Sequence, residues 1–461
     1  MQTQCTAEQL EFGCIERRRV VAAFDGGLVT SDAGALLLKR TDEAIGLIDR
    51  VAACFWDTRK PWLVEHSVRT LVGQRLLGLA LGYEDLNDHD ELRKDPLFGV
   101  LVGKLEATRQ DCEALAGKST LNRLELFPRA GQSIYHKIVP RGELLERVFV
   151  EQFLDSRRRA PKQIVLDLDA TDVPLHGDQE GRFFHGYYDH YCYLPLYIFC
   201  GRQLLCAKLR PANIDGSAGA VEEVGRIVAQ IRERWPKTRI ILRADSGFAR
   251  EVLMSWCESH CVDYVFGLAK NARLKRMIGA ELHQAKLMCE DSGHSSRLFK
   301  ELNYRTRKSW SRSRRVVAKA EATAQGSNPR FIVTSLPIEA LKARALYEDF
   351  YCERGEAENR IKECQLDLFA DRLSANPLAV NQLRLWFASL AYVLIESLRR
   401  LSLLTTQFAR ASCGTIRLKL LKIGATVTKS VRRVKLAMSE GYPYQKEFRV
   451  AFGALSNAAA R

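Results

Sequence analysis

The segment Ile164–Thr171 constrains the fold of this chain more than any other, because its apolar residues alternate with Asp167 and Asp169. Such alternation is typical of a β-strand, and residues two apart on a strand point to the same face. Two neighbouring carboxylates repel each other unless a proton or a metal ion lies between them. The segment therefore predicts a strand with an acidic site at its end, and it leaves the chemistry of that site open.

The charge of the chain is strongly basic and unevenly distributed. The 461 residues are enough for two or three domains, and their formal net charge is +15. Residues 371–461 contain 15 Lys and Arg against 4 Asp and Glu, a net charge of +11. A basic surface of this size suits a polyanion, most commonly nucleic acid. The alternative is a solvated basic tail that keeps the protein in solution.

Other patterns argue against secreted, disulfide-stabilised and membrane proteins. The 13 cysteines include no Cys-x-x-Cys pair, which predicts reduced thiols in a cytoplasmic protein. The N-terminus lacks a charged region followed by an apolar core, so we expect no signal peptide. The apolar stretch Leu385–Leu398 is too short to span a bilayer and contains Glu396, so we expect a buried helix and no membrane partner.

Secondary-structure patterns divide the chain into three regions. Residues 1–160 are predicted to be mostly helical after a turn-rich opening. Residues 161–370 show three strands, helix, strand, helix and strand, an order that builds an α/β domain with a mixed sheet. The aromatic run Phe183–Phe199 is predicted to be the second of these strands. A strand-rich stretch at about 270–336, rich in Arg and Lys, interrupts this order. Residues 371–461 are predicted to be helical and basic.

Two further acids follow at positions where ligands commonly bind. The apolar strand that begins at Ile240 ends at Asp245, and Gly247 permits a sharp exit from it. Ligands usually bind at this edge of an α/β sheet. A later predicted helix carries four polar residues on one face, since they are three, four and four positions apart: Tyr351, Arg354, Glu358 and Lys362. That spacing fits either an exposed helix with ion pairs or a functional acid held between cations.

Asp169, Asp245 and Glu358 together indicate a metal site. Carboxylate oxygens are ligands that Mg²⁺ prefers, and two such ions can clamp the attacking and leaving oxygens of a phosphoryl transfer. The separations of 76 and 113 residues between successive acids leave room for an inserted domain in the second gap.

On these residues the chain resembles the DDE transposases of bacterial insertion sequences. The resemblance implies an RNase H-like core with a strand-rich insertion between the second Asp and the Glu. Tyr351, Arg354 and Glu358 match a Tyr-(2)-Arg-(3)-Glu-(6)-Lys signature, whose Lys position is Gln365, and Lys362 is the candidate substitute. Asp169-Ala-Thr resembles the Asp-Gly-Thr that ends the first strand of such cores, so Asp169 is the predicted ligand and Asp167 its reserve.

The resemblance is greatest to the insertion sequence 1380 family, and it includes Phe24–Gly27 and Gly117–Glu125. It implies a cytoplasmic, nucleoid-associated enzyme that binds the terminal inverted repeats of its own element through the N-terminal region, the insertion and the tail. It further implies cut-and-paste transposition, double-stranded DNA as partner, and a homodimer in the synaptic complex.

The resemblance also assigns roles to the candidate site residues. Asp169, Asp245 and Glu358 would hold two Mg²⁺ or Mn²⁺ ions. Tyr351, Arg354 and Lys362 are expected to contact the DNA backbone near the scissile bond. In the insertion, cations interleave with an aromatic residue, which suits either DNA contacts or a strand edge guarded by charge: Trp310, Arg312, Arg314 and Arg315.

Two other functional classes fit parts of the sequence. Asp167 and Asp169 match the Asp-x-Asp-x-Thr motif of haloacid dehalogenase-like phosphatases, in which the first Asp is the nucleophile. That motif expects a helix after the strand, whereas an aromatic run follows at 183–199, and a later Gly-Asp-x-x-x-Asp pair is missing. A DNA-binding protein without catalysis is the third class. A P-loop at Gly117 is improbable because residue 112 is Cys rather than Gly.

Overall fold

The computed structural model describes residues 9–127 and 137–459. The chain divides into two units, residues 1–141 with 390–461 and residues 142–389. The region predicted as the catalytic domain, residues 161–370, lies entirely within the second unit.

The first unit combines helices with short strands. Its longest N-terminal helix, Val68–Leu81, begins where the Ser67 side chain accepts a hydrogen bond from the Thr70 amide and ends at Gly82, whose φ is +95°. The other α-helices described in this unit are Leu36–Ile45, Leu47–Ala52, His89–Leu92, Pro96–Val102, Lys118–Glu125, Cys413–Ile416 and Gln445–Ala459. Its strands form the hairpin Leu10–Ile15 with Arg18–Ala22, the pair Phe55–Asp57 with Ile138–Pro140, and the sheet Val29–Thr30, Ala425–Ser430 and Arg433–Met438.

The second unit is built on a large mixed sheet. Its strands are β1 (Gln163–Ala170), β2 (Val173–Pro174), β3 (Phe183–His185), β4 (His190–Tyr193), β5 (Leu196–Cys200), β6 (Gln203–Lys208), β7 (Arg239–Ala244), β8 (Asp263–Leu268), β9 (Ser296–Tyr304), β10 (Arg314–Thr323), β11 (Gly326–Ser327) and β12 (Arg330–Thr334). The large sheet has the order β6-β5-β1-β7-β8-β12-β10-β9, with β11 beside β10. Strands β1, β7 and β8 are parallel, and the other pairs are antiparallel. The predicted mixed sheet is therefore confirmed, and the strands of the insertion extend it beyond β8.

The aromatic run at 183–199 differs from the prediction of one strand. It folds as β3, β4 and β5, because the chain turns at Gly186–Asp189 and Pro195, which lacks an amide donor, separates β4 from β5. Only β5 joins the large sheet. Strands β3 and β4 form a separate small sheet with β2, in the order β2-β4-β3.

Helices cover both faces of the large sheet. On one face, Leu166 and Leu168 of β1 join a core that includes Val224 and Ile227 of the helix Ala220–Arg234. Further α-helices of this unit are Gly142–Asp155, Glu251–Ser259, Ala272–Met277, Gly279–Ser292 and Leu378–Leu398, the last of which extends past the end of the unit at residue 389.

The opposite face of the sheet carries a helical segment, residues 343–367. It consists of the α-helix Ala343–Ala345, a π-helix Leu346–Tyr351, a 3₁₀ turn Cys352–Arg354, the α-helix Gly355–Lys362 and a π-helix Glu363–Asp367. Leu346 and Tyr347 pack on Ile241 of β7 and Val265 of β8. Because side chains alternate along β1, Asp167 and Asp169 point to this segment while Leu166 and Leu168 face the other core.

The apolar stretch near residue 390 is a buried helix, as predicted. Among the described residues, Leu378–Leu403 is the one helix long and apolar enough to cross a membrane, and 78% of its most apolar window is buried within the protein. Such burial is typical of the core helix of a globular protein.

Candidate active site

The structure brings the three predicted acids to one cavity. Asp169 lies near the end of β1, Asp245 directly follows β7, and Glu358 lies on the helix Gly355–Lys362. Strands β1 and β7 are parallel neighbours, so their carboxyl ends meet at one edge of the sheet. All three side chains line an open cavity of about 720 Å³.

Local backbone structure fixes the position of Asp245. Its Oδ1 accepts a hydrogen bond from the Gly247 amide at 2.9 Å, which caps the turn Ser246–Phe248. Gly267 on β8 allows the Tyr351 hydroxyl to approach the same turn, since a Cβ atom there would lie 2.5 Å from the Tyr351 Oη. Tyr351 therefore packs against the turn that positions Asp245. Its side chain is not among those that line the cavity.

Arg354 lies between two of the acids. Its Nη2 is 2.7 Å from Glu358 Oε1, and its Nη1 is 3.5 Å from Asp169 Oδ2. Burial, together with the charges of Asp245 and Glu358, raises the pKa of Asp169 to about 7, and the charge of Arg354 acts in the opposite direction. The guanidinium therefore neutralises part of a carboxylate cluster that is unfavourable by itself.

The donor set fits a hard divalent cation, although the acids do not form a ready-made metal site. In the part of the chain that the structure describes, no three Asp, Glu, His or Cys side chains converge closely enough to hold one ion. Three carboxylates on one accessible cavity are nevertheless the ligands that Mg²⁺ and Mn²⁺ take. In this structure Arg354 occupies one carboxylate oxygen of Asp169 and one of Glu358, so a cation bound to those two atoms would replace the guanidinium.

Asp167 has a different environment from Asp169. It is 3% exposed, and its two carboxylate oxygens accept hydrogen bonds from Arg243 Nε at 2.5 Å and Nη2 at 2.9 Å. Arg243 also donates to the Phe350 carbonyl and lies 3.2 Å from Glu353 Oε2. Asp167 therefore joins β1 to β7 and to the helical segment 343–367. Sequence reasoning missed Arg243, although a cation inside the apolar strand β7 signals a buried partner.

Comparison with known proteins identifies the family. The model of the family described as transposase DDE domain group 1 matches residues 12–460. The chain belongs to this family of DDE transposases. No curated protein matches the chain. Among solved structures, it is similar to the piggyBac transposase in a synaptic complex with hairpin DNA, at 12% identity and a TM-score of 0.40, over 85% of this chain and 80% of that chain.

The family resolves the functional classes that the sequence left open. The protein is a DDE-type transposase, and such enzymes generally use divalent metal ions. The phosphatase alternative is wrong, because Asp167, its required nucleophile, is buried against Arg243 in this transposase. The alternative of a DNA-binding protein without catalysis is likewise set aside.

The other residues predicted on the Glu358 helix also lie at the site. Lys362 and Gln365 both line the cavity with Glu358. Gln365 Nε2 donates a hydrogen bond to the Asp172 carbonyl at 2.9 Å, which fixes that side chain against the loop after β1. Lys362 lies one helical turn beyond Glu358. It is the lysine nearest in sequence to Gln365, where the signature has its lysine.

The insertion residues are placed differently from the prediction of a DNA-contacting surface. Trp310 is 4% exposed and packs edge-on against Tyr304, with ring centroids 5.7 Å apart. Arg314 is equally buried, and its guanidinium pairs at 2.7 Å with both Glu251 and Glu258. Buried side chains with satisfied partners are not available to DNA, so the prediction for Trp310 and Arg314 is corrected.

The two remaining insertion cations are paired to different extents. Arg315 makes a two-pronged ion pair with Glu301, at 2.9 Å and 2.6 Å, and retains little exposed surface. Arg312 is 2.7 Å from Glu258, but its side chain is 62% exposed. Of the four predicted insertion residues, Arg312 alone keeps a side chain that is mostly accessible to DNA.

Sequence reasoning also missed one group of cavity residues. His185, Tyr187 and Tyr188, from the end of β3 and the following turn, line the cavity together with the three acids. Their signal in the sequence is the aromatic run 183–199, which was predicted to be one strand. Nearby, His190 Nε2 lies 2.7 Å from Asp172 Oδ2 and ties β4 to the loop after β1.

Proposed function

We propose that this transposase excises and inserts its own insertion sequence by metal-dependent cut-and-paste chemistry in an RNase H-like core. The sheet order β6-β5-β1-β7-β8, with β1, β7 and β8 parallel, supports that core. The observation that carries the proposal is the convergence of Asp169, Asp245 and Glu358 on one open cavity at the carboxyl edge of the sheet.

Asp169, Asp245 and Glu358 would hold two Mg²⁺ or Mn²⁺ ions. Bound there, such ions supply activation of water or a 3′-hydroxyl and neutralisation of charge on the leaving oxygen. The chain contributes the rest. Arg354 leaves Asp169 and Glu358 and donates to a phosphate oxygen of the bound DNA, because its planar fork matches a phosphate as well as a carboxylate. Lys362 adds a second positive charge along the cavity wall.

The proposed partners are DNA and a second copy of the chain. The N-terminal region and the tail, whose net charge is +11 over residues 371–461, would bind the terminal inverted repeats, with Arg312 as the accessible cation of the insertion. Bringing two ends together requires at least a homodimer. Phe24–Gly27 and Gly117–Glu125 support an assignment to the insertion sequence 1380 family, acting in the cytoplasm on the nucleoid.

A cleavage assay tests this function directly. Linear DNA that carries the coding region and its flanking sequences is incubated with purified protein and Mg²⁺, Mn²⁺ or EDTA. We expect breaks at two fixed positions on either side of the gene, with either metal ion, and none in EDTA. Glu358→Gln should abolish cleavage, whereas Glu356→Gln, an exposed acid of the same helix, should not. Cleavage in EDTA, or by the Glu358 variant, contradicts the three-acid mechanism.

The position of Arg354 leads to a separate prediction about metal affinity. Arg354→Gln removes a positive charge that lies within 3.5 Å of two of the proposed ligands, so Mn²⁺ should bind about tenfold more tightly. DNA cleavage should nevertheless fall, because a phosphate contact is lost. Calorimetric titration of the DNA-free protein with Mn²⁺ measures the first effect.

Arg250→Gln is the matched control for Arg354→Gln. Arg250 lines the same cavity, but its Nη2 pairs with Asp215 Oδ2 at 2.6 Å rather than with the three acids. The Mn²⁺ affinity of this variant should stay within about a factor of two of the parent, because the charge of Arg250 is exposed and screened by solvent. Weaker or unchanged Mn²⁺ binding by Arg354→Gln would show that the guanidinium does not compete with the cation.

A further inference from the structure

A second cavity lies beside the first half of the helical segment 343–367. Its volume is about 550 Å³, and it shares no lining residue with the cavity that contains the three acids. Three of the side chains that line it are cations and one is an acid: Arg297, Lys319, Arg344, Tyr347, Glu348 and Cys352. An excess of positive charge in the walls of a cavity favours an anionic ligand.

Two aromatic rings support two of these cations. The Lys319 ammonium lies 5.2 Å from the centroid of the Tyr347 ring, and the Arg344 guanidinium lies 5.4 Å from the centroid of the Phe299 ring. The two rings contact each other, with centroids 5.9 Å apart. A contact with a ring face holds a cation in position and leaves its charge intact. Both cations therefore keep their charge for a ligand.

Lys319 on β10 forms the recessed part of the cavity. It is 8% exposed, and its Nζ donates a hydrogen bond to Glu321 Oε2 at 2.6 Å. The same oxygen accepts a second hydrogen bond from Asn328, at 2.8 Å. Arg330 lies opposite Lys319 on the neighbouring strand β12, so the two cations share one face of the sheet. Positive charge therefore exceeds negative charge around the recess.

Glu348 lies between the two cations at the mouth of the cavity. Its Oε1 is 2.9 Å from Arg297 Nη1, and its Oε2 is 3.9 Å from Arg344 Nη1. The arginine side chains are 45% and 64% exposed, so solvent screens both ion pairs and they contribute little to stability. A phosphate group carries more negative charge than a carboxylate and has three acceptor oxygens. It can therefore replace Glu348 at both guanidinium groups.

We propose that this cavity binds a compact phosphate group, that of a phosphate monoester or of a polyphosphate, between Arg297, Arg344 and Lys319. A terminal phosphate reaches the recessed Lys319 more readily than a phosphodiester of duplex DNA, whose phosphorus carries two bulky substituents. The site goes beyond the proposed function, because it requires neither a metal ion nor DNA at the three acids. Its ligand would contact the segment whose later helix carries Glu358.

Cys352 allows the site to be tested in the wild-type protein, because its exposed thiol lines the cavity. Burial raises the pKa of this thiol, so labelling with the neutral reagent iodoacetamide is carried out at about pH 8.5. Peptide mass spectrometry measures the labelling rate of each cysteine in EDTA, with and without pyrophosphate. Pyrophosphate should slow the labelling of Cys352 severalfold and leave that of Cys261, another exposed thiol, unchanged.

Three variants locate the bound anion. Arg344→Gln should raise the pyrophosphate concentration that gives half-maximal protection of Cys352 about tenfold, because a charged hydrogen-bond donor is lost. Lys286→Gln should behave like the wild-type protein. It is the matched control, since Lys286 is also 64% exposed and also pairs with an acid four residues later. Arg354→Gln should keep the protection, because Arg354 lines the other cavity. Thermal melting checks that each variant is folded.

Several results would overturn the site. Pyrophosphate that leaves Cys352 unprotected would do so, as would equal protection of Cys352 and Cys261 or an unchanged affinity in Arg344→Gln. Loss of protection in Arg354→Gln would place the anion at the three acids instead. A blunt DNA duplex without terminal phosphates that protects Cys352 where pyrophosphate does not would assign the cations to the DNA backbone. Labelling in EDTA is independent of the cleavage assay, so the failure of either proposal leaves the other in place.

Discussion

Replacing Asp169 by Asn is expected to reduce metal-dependent cleavage by about 10³-fold, and to stabilise the metal-free protein at the same time. The loss of activity follows because a metal ligand contributes several kcal/mol to the transition state. The gain in stability follows because burial and the neighbouring acids raise the pKa of Asp169 to about 7. The ionised carboxylate is therefore unfavourable in the folded protein.

The sign of the pH dependence follows from that raised pKa. A carboxyl group that holds its proton more tightly when folded costs stability as pH rises from about 4, its unfolded value, through about 7. Asp169→Asn has no such titration. The variant should match the parent at pH 4 and exceed its free energy of unfolding by on the order of 1–3 kcal/mol at pH 8.

Urea denaturation in EDTA at both pH values measures this difference. Asp349→Asn provides the control, since Asp349 is exposed on the helical segment 343–367. It should change neither stability nor cleavage. If Asp169→Asn instead lowers stability at pH 8, Asp169 contributes to the fold rather than to a strained acidic site.

The strands that deliver the acids could be predicted because their signal is local. Alternation in β1 and the apolar run of β7 identify both strands, and their parallel pairing then places Asp169 and Asp245 at one edge. The helix that carries Glu358 was likewise predicted, from the spacing of the polar residues on one of its faces. Its π-helical and 3₁₀ turns were not, because the spacing of polar residues does not distinguish them from an α-helix.

Contacts between distant segments account for what the sequence could not predict. Arg314 looks like a DNA-binding residue until the helix Glu251–Ser259 places Glu251 and Glu258 against it. Asp167 and Asp169 are indistinguishable by alternation, and the difference between them comes from Arg243 on β7 and Arg354 on the helical segment. A charged residue is thus structural or functional according to its partner.

Arginine has opposite consequences at the two acids of β1. Arg243 meets Asp167 in a buried two-pronged pair, whereas Arg354 approaches Asp169 at 3.5 Å beside an open cavity. The first contact is buried, and it joins β1, β7 and the helical segment 343–367. The second can be exchanged for a cation and a phosphate, so it holds the acids together without filling the site permanently.

Asp167→Ala is therefore expected to destabilise the protein by about 3–5 kcal/mol, in contrast to Asp169→Asn. Arg243 is 5% exposed, and removing Asp167 leaves most of its charge buried without compensation. Glu353 and the Phe350 carbonyl remain as weaker partners, so the lower part of that range is expected. Urea denaturation at pH 7 measures the change.

A double substitution shows how much of the lost stability comes from the unpaired buried charge and how much from the loss of packing. In Asp167→Leu combined with Arg243→Met, both charges are replaced by apolar side chains, and much of the lost stability should return. The double variant should also keep the transposase fold, with Asp169, Asp245 and Glu358 unchanged. If Asp167→Ala costs less than about 1 kcal/mol, the Asp167–Arg243 pair does not anchor the helical segment 343–367.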